Sequence, residues 1–147
     1  MKNLLILLSI VAISMSAGSC KKVPGCMDQD ADNYNFEAEE DDGTCYYSGG
    51  AVFYHDQATA QHYLDDGITQ TKVFVDGTIE GYLSPNTHWS FIPDCNSTTA
   101  VTIPNYGLAS AKSKSFTYQI KDQNNQLLTS GTFTIYGNQC TAVEVIY

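Results

Sequence analysis

Short runs of alternating apolar and polar residues, separated by turn signals, recur through the C-terminal two thirds of this 147-residue chain. The clearest are residues 116–121 and 132–136, in which aromatic or aliphatic side chains alternate with threonine, glutamine or lysine. A period of two places one face of a strand in a core and the other face in water. The pattern predicts an all-β fold for residues 48–147, an antiparallel β-sandwich of six to seven strands.

Local signals predict individual elements of this domain. An Asp-Gly turn pair between two strand-like runs is typical of a β-hairpin, here over residues 70–83. Asp56 is placed to cap a short helix that reaches Leu64. We expect Pro104 to end the strand that opens before it, because proline lacks the N–H that a strand ladder needs. The last strand is expected over residues 142–146.

The five cysteines bear on both the compartment and the fold. One of them, Cys20, stands apart near the N-terminus, directly after residues 1–19, and the remaining four admit three pairings. We favour the pairing that keeps each bond within one compositional segment. A zinc site is the alternative, but no two cysteines have the C-x-x-C spacing of such sites. Disulfides indicate an oxidising compartment outside the cytoplasm. The favoured bonds are Cys26–Cys45 and Cys95–Cys140.

Residues 1–19 have the organisation of an export signal. Lys2 provides a positive charge, residues 4–13 form an apolar run interrupted only by Ser9, and small residues follow. The apolar run is about half of the roughly 20 residues that a membrane-spanning helix requires. We therefore predict a cleaved signal peptide.

The residues that close this leader, Ala17-Gly-Ser-Cys20, resemble a bacterial lipobox, although the usual motif prefers leucine where Ala17 stands. The resemblance implies that Cys20 becomes the lipidated first residue, carrying acyl chains such as palmitate. Two or more acyl chains anchor a protein stably, so residues 20–24 are expected to form a membrane tether. The expected location is the outer membrane of a bacterial envelope, facing the periplasm or the cell surface. The alternative is ordinary signal cleavage, which leaves a free thiol on Cys20.

An acidic stretch follows the tether. Eight carboxylates and no basic residue lie between Asp28 and Asp42. This stretch resembles a short module of secreted and surface bacterial proteins, with the pattern G-C-x-D-x-x-A-x-N-Y-x-x-x-A-x-x-D-D-G-[ST]-C. The resemblance implies an extracytoplasmic, disulfide-closed spacer over residues 25–47, of a kind often found beside β-rich domains. The matching residues are Gly25, Cys26, Asp28, Ala31, Asn33, Tyr34, Ala38, Asp41, Asp42, Gly43, Thr44 and Cys45.

The same carboxylates suggest a calcium site. Asp28, Asp30 and Asp32 occupy positions 1, 3 and 5 of an EF-hand-like loop, and Glu39 occupies position 12. Position 6, which is usually glycine, is Asn33, and no helical periodicity flanks the loop. The alternative to bound Ca²⁺ is a solvated acidic hinge, in which water screens the mutual repulsion of the carboxylates.

Aromatic residues provide the candidate ligand site. The chain has ten tyrosines and one tryptophan, and Tyr82, Trp89 and Phe91 cluster around an irregular crossing after the hairpin. Aromatic side chains form platforms for sugar rings and hot spots for protein partners. We expect an envelope protein or a glycan as partner, and the alternative is that Trp89 and Phe91 only cap the core. A net charge of −9 without arginine argues against nucleic acid.

Candidate catalytic residues are present but are not arranged in a motif. His55, His62 and His88 accompany Asp56, Asp65 and Asp66 in the sequence, a composition that also suits a metal site or a serine triad. No nucleophile elbow, zinc-protease or nucleotide-binding motif positions them. We therefore expect no enzymatic activity. The expected role is structural, adhesive or protein-binding, with glycan binding as the alternative.

The strand pattern and the late cysteine resemble the small Ig-like or transthyretin-like β domains of exported bacterial proteins. That resemblance implies the same sandwich architecture for residues 48–147. The boundary with the acidic module falls at Ser48-Gly49-Gly50, which we expect to be a flexible joint because short Gly/Ser segments have little conformational restraint.

Removal of the predicted lipidation site tests the anchor. Because Cys20→Ser lacks the thiol that is acylated, we expect the protein to leave the membrane fraction for the soluble fraction or the medium. Cell fractionation followed by immunoblotting measures the distribution, with Ser16→Ala as a control in the same leader. A Cys20→Ser product that stays with the membranes would show that the anchor prediction is wrong.

Overall fold

The computed structural model describes residues 21–147, in which β-strands are the main secondary structure and are accompanied by one short helix. The β-rich prediction is confirmed, whereas the leader and Cys20 lie outside the described residues. Within residues 21–147, no helix has the length and apolar character needed to cross a membrane. The elements are β1 (Pro24–Gly25), β2 (Glu40–Asp41), β3 (Tyr47–Tyr54), α1 (Gln57–Asp65), β4 (Thr71–Val75), β5 (Thr78–Leu83), β6 (Val101–Ala109), β7 (Ser113–Lys121), β8 (Leu127–Tyr136) and β9 (Cys140–Glu144).

The longer strands form two sheets whose buried faces pack together. Strands β6, β3 and β9 make a three-stranded sheet, and β5, β4, β7 and β8 make a four-stranded sheet. The short strands β1 and β2 pair with each other and not with the larger sheets; β1 leads into residues 25–47, which we call the acidic segment, and β2 lies within it. The Phe53 ring of β3 meets the Tyr118 ring of β7 and the Phe133 ring of β8, at centroid distances of 5.7 and 5.1 Å. The core therefore lies between the two sheets, and aromatic contacts across it add to the apolar burial.

One strand pair contradicts the antiparallel prediction. Strand β9 runs parallel to β3, with Ala142 opposite Val52 and Val143 opposite Phe53. The cause is the turn at residues 137–139, which carries the chain from the four-stranded sheet to the three-stranded sheet, so that β9 does not fold back on β8. The three-stranded sheet is therefore mixed, and its last strand begins at Cys140, earlier than predicted.

The prediction of a flexible joint is wrong, because its residues belong to β3 and the two glycines are buried. A Cβ atom on Gly49 would overlap the carbonyl oxygen of Tyr136 and lie 2.8 Å from Cγ2 of Ile135. A Cβ atom on Gly50 would lie 2.8 Å from the carbonyl oxygen of Ile103. The glycines therefore serve the close approach of β3 to its neighbours, and they do not provide flexibility.

Pro104 does not end its strand, since β6 continues through it to Ala109. Strand β6 lies at the edge of its sheet, where the missing N–H of a proline is tolerated. The pairing with β3 also shifts register immediately after Ile103. Pro104 therefore occupies a bulge, at which the ladder is already interrupted.

The predicted helix, hairpin and disulfides are confirmed. Helix α1 follows Asp56, whose carboxylate accepts a hydrogen bond from the Thr59 N–H at 2.8 Å. The hairpin turns at Asp76-Gly77, and both residues have the positive φ that a type I′ turn requires. One disulfide closes the acidic segment, and the other ties the crossing between β5 and β6 to β9. The bonded pairs are Cys26–Cys45 and Cys95–Cys140.

A methyl group at the crowded glycine tests this packing. Gly49→Ala should lower the free energy of unfolding by about 1–3 kcal/mol, the usual cost of overfilling a packed interior. Urea-induced unfolding with the disulfides intact measures the change. The matched control is Gly107→Ala in β6, where no atom lies within 4 Å of an added Cβ, so we expect unchanged or slightly higher stability. Equal losses in the two variants would contradict the packing role of Gly49.

Candidate functional site

The crossing between β5 and β6, residues 84–100, is held by local side-chain hydrogen bonds; we call it the crossing segment. Ser84 Oγ accepts a hydrogen bond from the Asn86 N–H at 3.2 Å, and Asp94 Oδ1 accepts one from the Asn96 N–H at 2.7 Å. Short polar side chains favour turns because they supply the partners that a ladder would otherwise provide. The disulfide at Cys95 fixes the later part of the segment to β9.

An open depression of about 520 Å³ lies on the crossing segment. Phe91 and Ile92 border it, and their side chains are 78% and 65% exposed. The polar part of the lining comes from Asp94, Asn96 and the hydroxyl groups of residues 97–99. Apolar surface with a few hydrogen-bonding groups is typical of small-ligand sites, so this depression is the candidate functional site.

Trp89 contributes to the depression and to the core at once. It lines the depression, and its partly buried ring also packs against the core cluster. On the inner side the Trp89 ring lies edge-to-face with the His55 ring at a centroid distance of 5.7 Å. Its backbone N–H donates to the His55 carbonyl oxygen at 3.1 Å. The alternative that Trp89 and Phe91 only cap the core therefore fits Trp89 in part and does not fit the exposed Phe91.

Tyr82 lies apart from the depression. It belongs to the edge strand β5, opposite Lys72, and its side chain is 56% exposed. The structure therefore brings together two of the three predicted aromatic residues, Trp89 and Phe91, and leaves Tyr82 out of the lining.

The acidic segment is docked on the sheets. Asp28 forms an ion pair with Lys112 and accepts a hydrogen bond from the Tyr47 hydroxyl at 2.8 Å. The hydrogen bond from Lys112 is the main reason that the pKa of Asp28 falls to about 2, from an ordinary value of 3.8. Cys26 and Ala31 belong to the same buried apolar cluster as the core of the sheets. The segment therefore has a fixed attachment at its Asp28 side.

The carboxylates predicted to bind calcium are not gathered into one site. Asp28 is engaged by a lysine, and Asp32 accepts a hydrogen bond from Ser48 Oγ at 3.1 Å. In the described part of the chain, no three His, Cys, Asp or Glu side chains lie close enough together to hold a metal ion. The geometry of Asp28, Asp30, Asp32 and Glu39 therefore gives the calcium prediction no support.

His55 is fully buried just beyond the end of β3. Its ring lies edge-to-face with the Tyr63 ring of α1, at a centroid distance of 5.5 Å. The Tyr63 hydroxyl has no hydrogen-bond partner within residues 21–147, and neither ring nitrogen of His55 has one of good geometry, although the Thr87 backbone is near enough to favour the protonated ring. Burial therefore lowers the pKa of His55 and raises the pKa of Tyr63. His62 and His88 do not join His55 in a metal site among the described residues.

Three features of these sites were not predicted from the sequence: the ion pair of Lys112, the exposure of Ile92 and the burial of His55. Lys112 lies in a short run of small and charged residues that looks like ordinary surface, so no signal links it to Asp28. An exposed Ile92 cannot be told from a buried isoleucine by pattern. The burial of His55 did have a signal, because it directly follows the apolar run 51–54.

No protein-family model, curated protein or solved structure matches the chain.

Removal of one carboxylate charge tests the docking of the acidic segment. In Asp28→Asn the ion pair with Lys112 is lost, so we expect severalfold faster hydrogen exchange at the Asp32 and Asn35 amides, with no change in β7.

In the parent protein the depressed pKa means that the contribution of Asp28 to the docking of the acidic segment is complete above about pH 4 and is lost as the pH falls towards about 2.

The matched control for this docking test is Asp41→Asn. Asp41 also lies in the acidic segment, but within residues 21–147 its carboxylate accepts a hydrogen bond only from the nearby Gly43 N–H, at 3.1 Å. We expect little change in exchange at the Asp32 amide in this control. Equal acceleration in both variants would contradict the role assigned to the contact between Asp28 and Lys112.

Proposed function

We propose that the chain is an exported lipoprotein of the bacterial envelope, anchored through acylated Cys20, which displays its β-rich part outside the cytoplasm. The order of charge, apolar run and small residues in residues 1–20 supports export. The two disulfides support an oxidising compartment, because such bonds are rare in the cytosol. An outer-membrane position that faces the periplasm or the cell surface fits both features.

We also propose that the two larger sheets form a sandwich of the Ig-like or transthyretin-like kind. The face-to-face contact through Phe53, Tyr118 and Phe133 supports this assignment. The division into a three-stranded and a four-stranded sheet also supports it. The parallel β9 is a departure from a purely antiparallel version of such folds.

The proposed role is non-catalytic binding of an envelope protein through the crossing segment. The observation that carries it is the exposure of two adjacent large apolar side chains, Phe91 and Ile92. Apolar surface of this kind marks interaction sites more often when it borders polar groups, as it does beside Asp94. The Cys95–Cys140 disulfide restrains the segment before binding, which reduces the entropy lost in a complex.

Glycan binding is the second candidate, and the polar lining favours it. Asp94, Asn96 and Ser97 offer acceptors and donors beside the rings of Trp89 and Phe91. Sugars present an apolar face to aromatic rings and hydroxyl groups to polar side chains. Among the described residues the lining includes a carboxylate but no lysine, so a neutral glycan fits better than an anionic one, and nucleic acid is disfavoured.

Replacement of both exposed apolar residues tests the site. Phe91→Ser combined with Ile92→Ser should weaken binding by at least about thirtyfold, because even a single hot-spot side chain contributes about 2 kcal/mol. The mature protein is titrated against immobilised envelope proteins and against a glycan array, and binding on only one of them decides between the candidates. The matched control is Ile79→Ser with Leu127→Ser, two exposed apolar residues outside the depression. Unchanged binding by the Phe91 and Ile92 variant would contradict the proposed site.

A further inference from the structure

Beneath the crossing segment, two side chains bury polar atoms without hydrogen-bond partners among the described residues. They are His55 and Tyr63, and neither exposes any surface to solvent. Their rings touch edge-to-face, and Trp89 covers His55 from the side of the crossing segment. Buried polar atoms are nearly always paired in folded proteins, so this cluster is an unusual arrangement within the molecule.

The cluster tolerates only a neutral imidazole. A cationic ring needs acceptors or water, and burial of an uncompensated charge is strongly unfavourable. Burial accordingly lowers the pKa of His55 from its ordinary value of 6.5, although the Thr87 backbone opposes part of the shift. Protonation of the covered ring is therefore unfavourable, because burial outweighs the help of the Thr87 backbone. It becomes favourable once water reaches the ring, which requires that one of the covering residues move.

The charged and titratable groups around His55 do not provide a partner for the cation. Asp56 attracts it, but its carboxylate is already the cap of α1. His88, on the crossing segment, opposes the charge. On the α1 side, the hydroxyl of Tyr147 donates to Asp66 at 2.6 Å. None of these side chains makes a hydrogen bond to the His55 ring in the described structure.

Of the elements that cover His55, the crossing segment is the one that opens most easily. Residues 84–94 belong to no strand or helix. The Trp89 N–H to His55 carbonyl hydrogen bond joins them to the end of β3. Segments with few backbone hydrogen bonds open locally at lower free energy than strands and helices do. The disulfide at Cys95 stays closed and limits the movement to the residues before it.

We propose that His55 makes the crossing segment acid-labile: when its ring takes up a proton, residues 84–94 move away and expose Trp89, while both sheets stay folded. The closed state holds a neutral ring, so acid favours the open state. The open population should rise as the pH falls below about 6.5, by up to about tenfold for each pH unit. Because Trp89 also lines the depression, the movement alters the proposed binding surface, but the inference holds whatever that surface binds.

Trp89 is the single tryptophan of the chain, so its fluorescence reports on this movement directly. The experiment measures the rate constant of acrylamide quenching in the mature, disulfide-bonded protein between about pH 7.5 and about pH 5. We expect quenching to increase on acidification in the parent protein. In His55→Phe we expect a flat profile, because a phenyl ring keeps the aromatic packing and does not titrate. In the control His62→Gln, which replaces an exposed histidine of α1, we expect the parent profile.

Hydrogen exchange separates local opening from global unfolding. Loss of protection confined to residues 84–94 at the acidic end supports the inference, whereas simultaneous loss in β3 and β7 overturns it. A flat quenching profile in the parent protein also overturns it, as does an unchanged acid response in His55→Phe. If His55→Phe does not fold, His55→Gln takes its place. An NMR titration of the parent then supplies the direct test: a His55 ring that titrates without exposure of Trp89 contradicts the inference.

Discussion

The close packing of β3 is the constraint on which the other features of the structure depend. Gly49 allows this strand to lie against the Tyr136 backbone at a distance that any side chain would prevent. Phe53, further along β3, reaches the four-stranded sheet and joins the two halves of the core. At the beginning of the strand Tyr47 holds Asp28 of the acidic segment, and just past its end lies the buried His55. This one strand therefore positions the core, the acidic segment and the buried His55 that the crossing segment covers.

The two disulfides stabilise the two segments of the chain that have the fewest hydrogen bonds between strands. Cys26–Cys45 closes a segment whose only strands are the two-residue β1 and β2. Cys95–Cys140 fixes the crossing segment, which has no strand of its own. The bonds span 19 and 45 residues, for which the chain-entropy model gives about 3 and about 4 kcal/mol. Covalent restraint of the unfolded chain thus compensates for sparse backbone hydrogen bonding in these two segments.

Features set by local chemistry could be predicted from the sequence, and features set by contacts between distant residues could not. The Asp76-Gly77 turn follows from backbone sterics alone, so its residues identify it. Gly49, in contrast, looks like part of a flexible joint until the neighbouring Tyr136 backbone is known. Pro104 signals a strand end, yet an edge position and a bulge accommodate it. At the candidate site, aromatic composition identified Trp89, whereas the exposure of Ile92 has no signature in the sequence.

The titratable groups at the two ends of β3 are stabilised in opposite ionisation states, Asp28 as an anion and His55 as a neutral ring. Acid should therefore affect the two ends at different pH values. Near its beginning, the Asp28 carboxylate is stabilised in its charged form by Lys112, so its contact persists until the pH approaches about 2. Beyond its end, His55 is stabilised in its neutral form, so its environment becomes unfavourable as the pH falls below about 6.5. In mild acid we therefore expect only the crossing segment, which covers His55, to move. The acidic segment then stays docked, because the lowered pKa of Asp28 keeps its carboxylate charged and paired with Lys112 in that pH range.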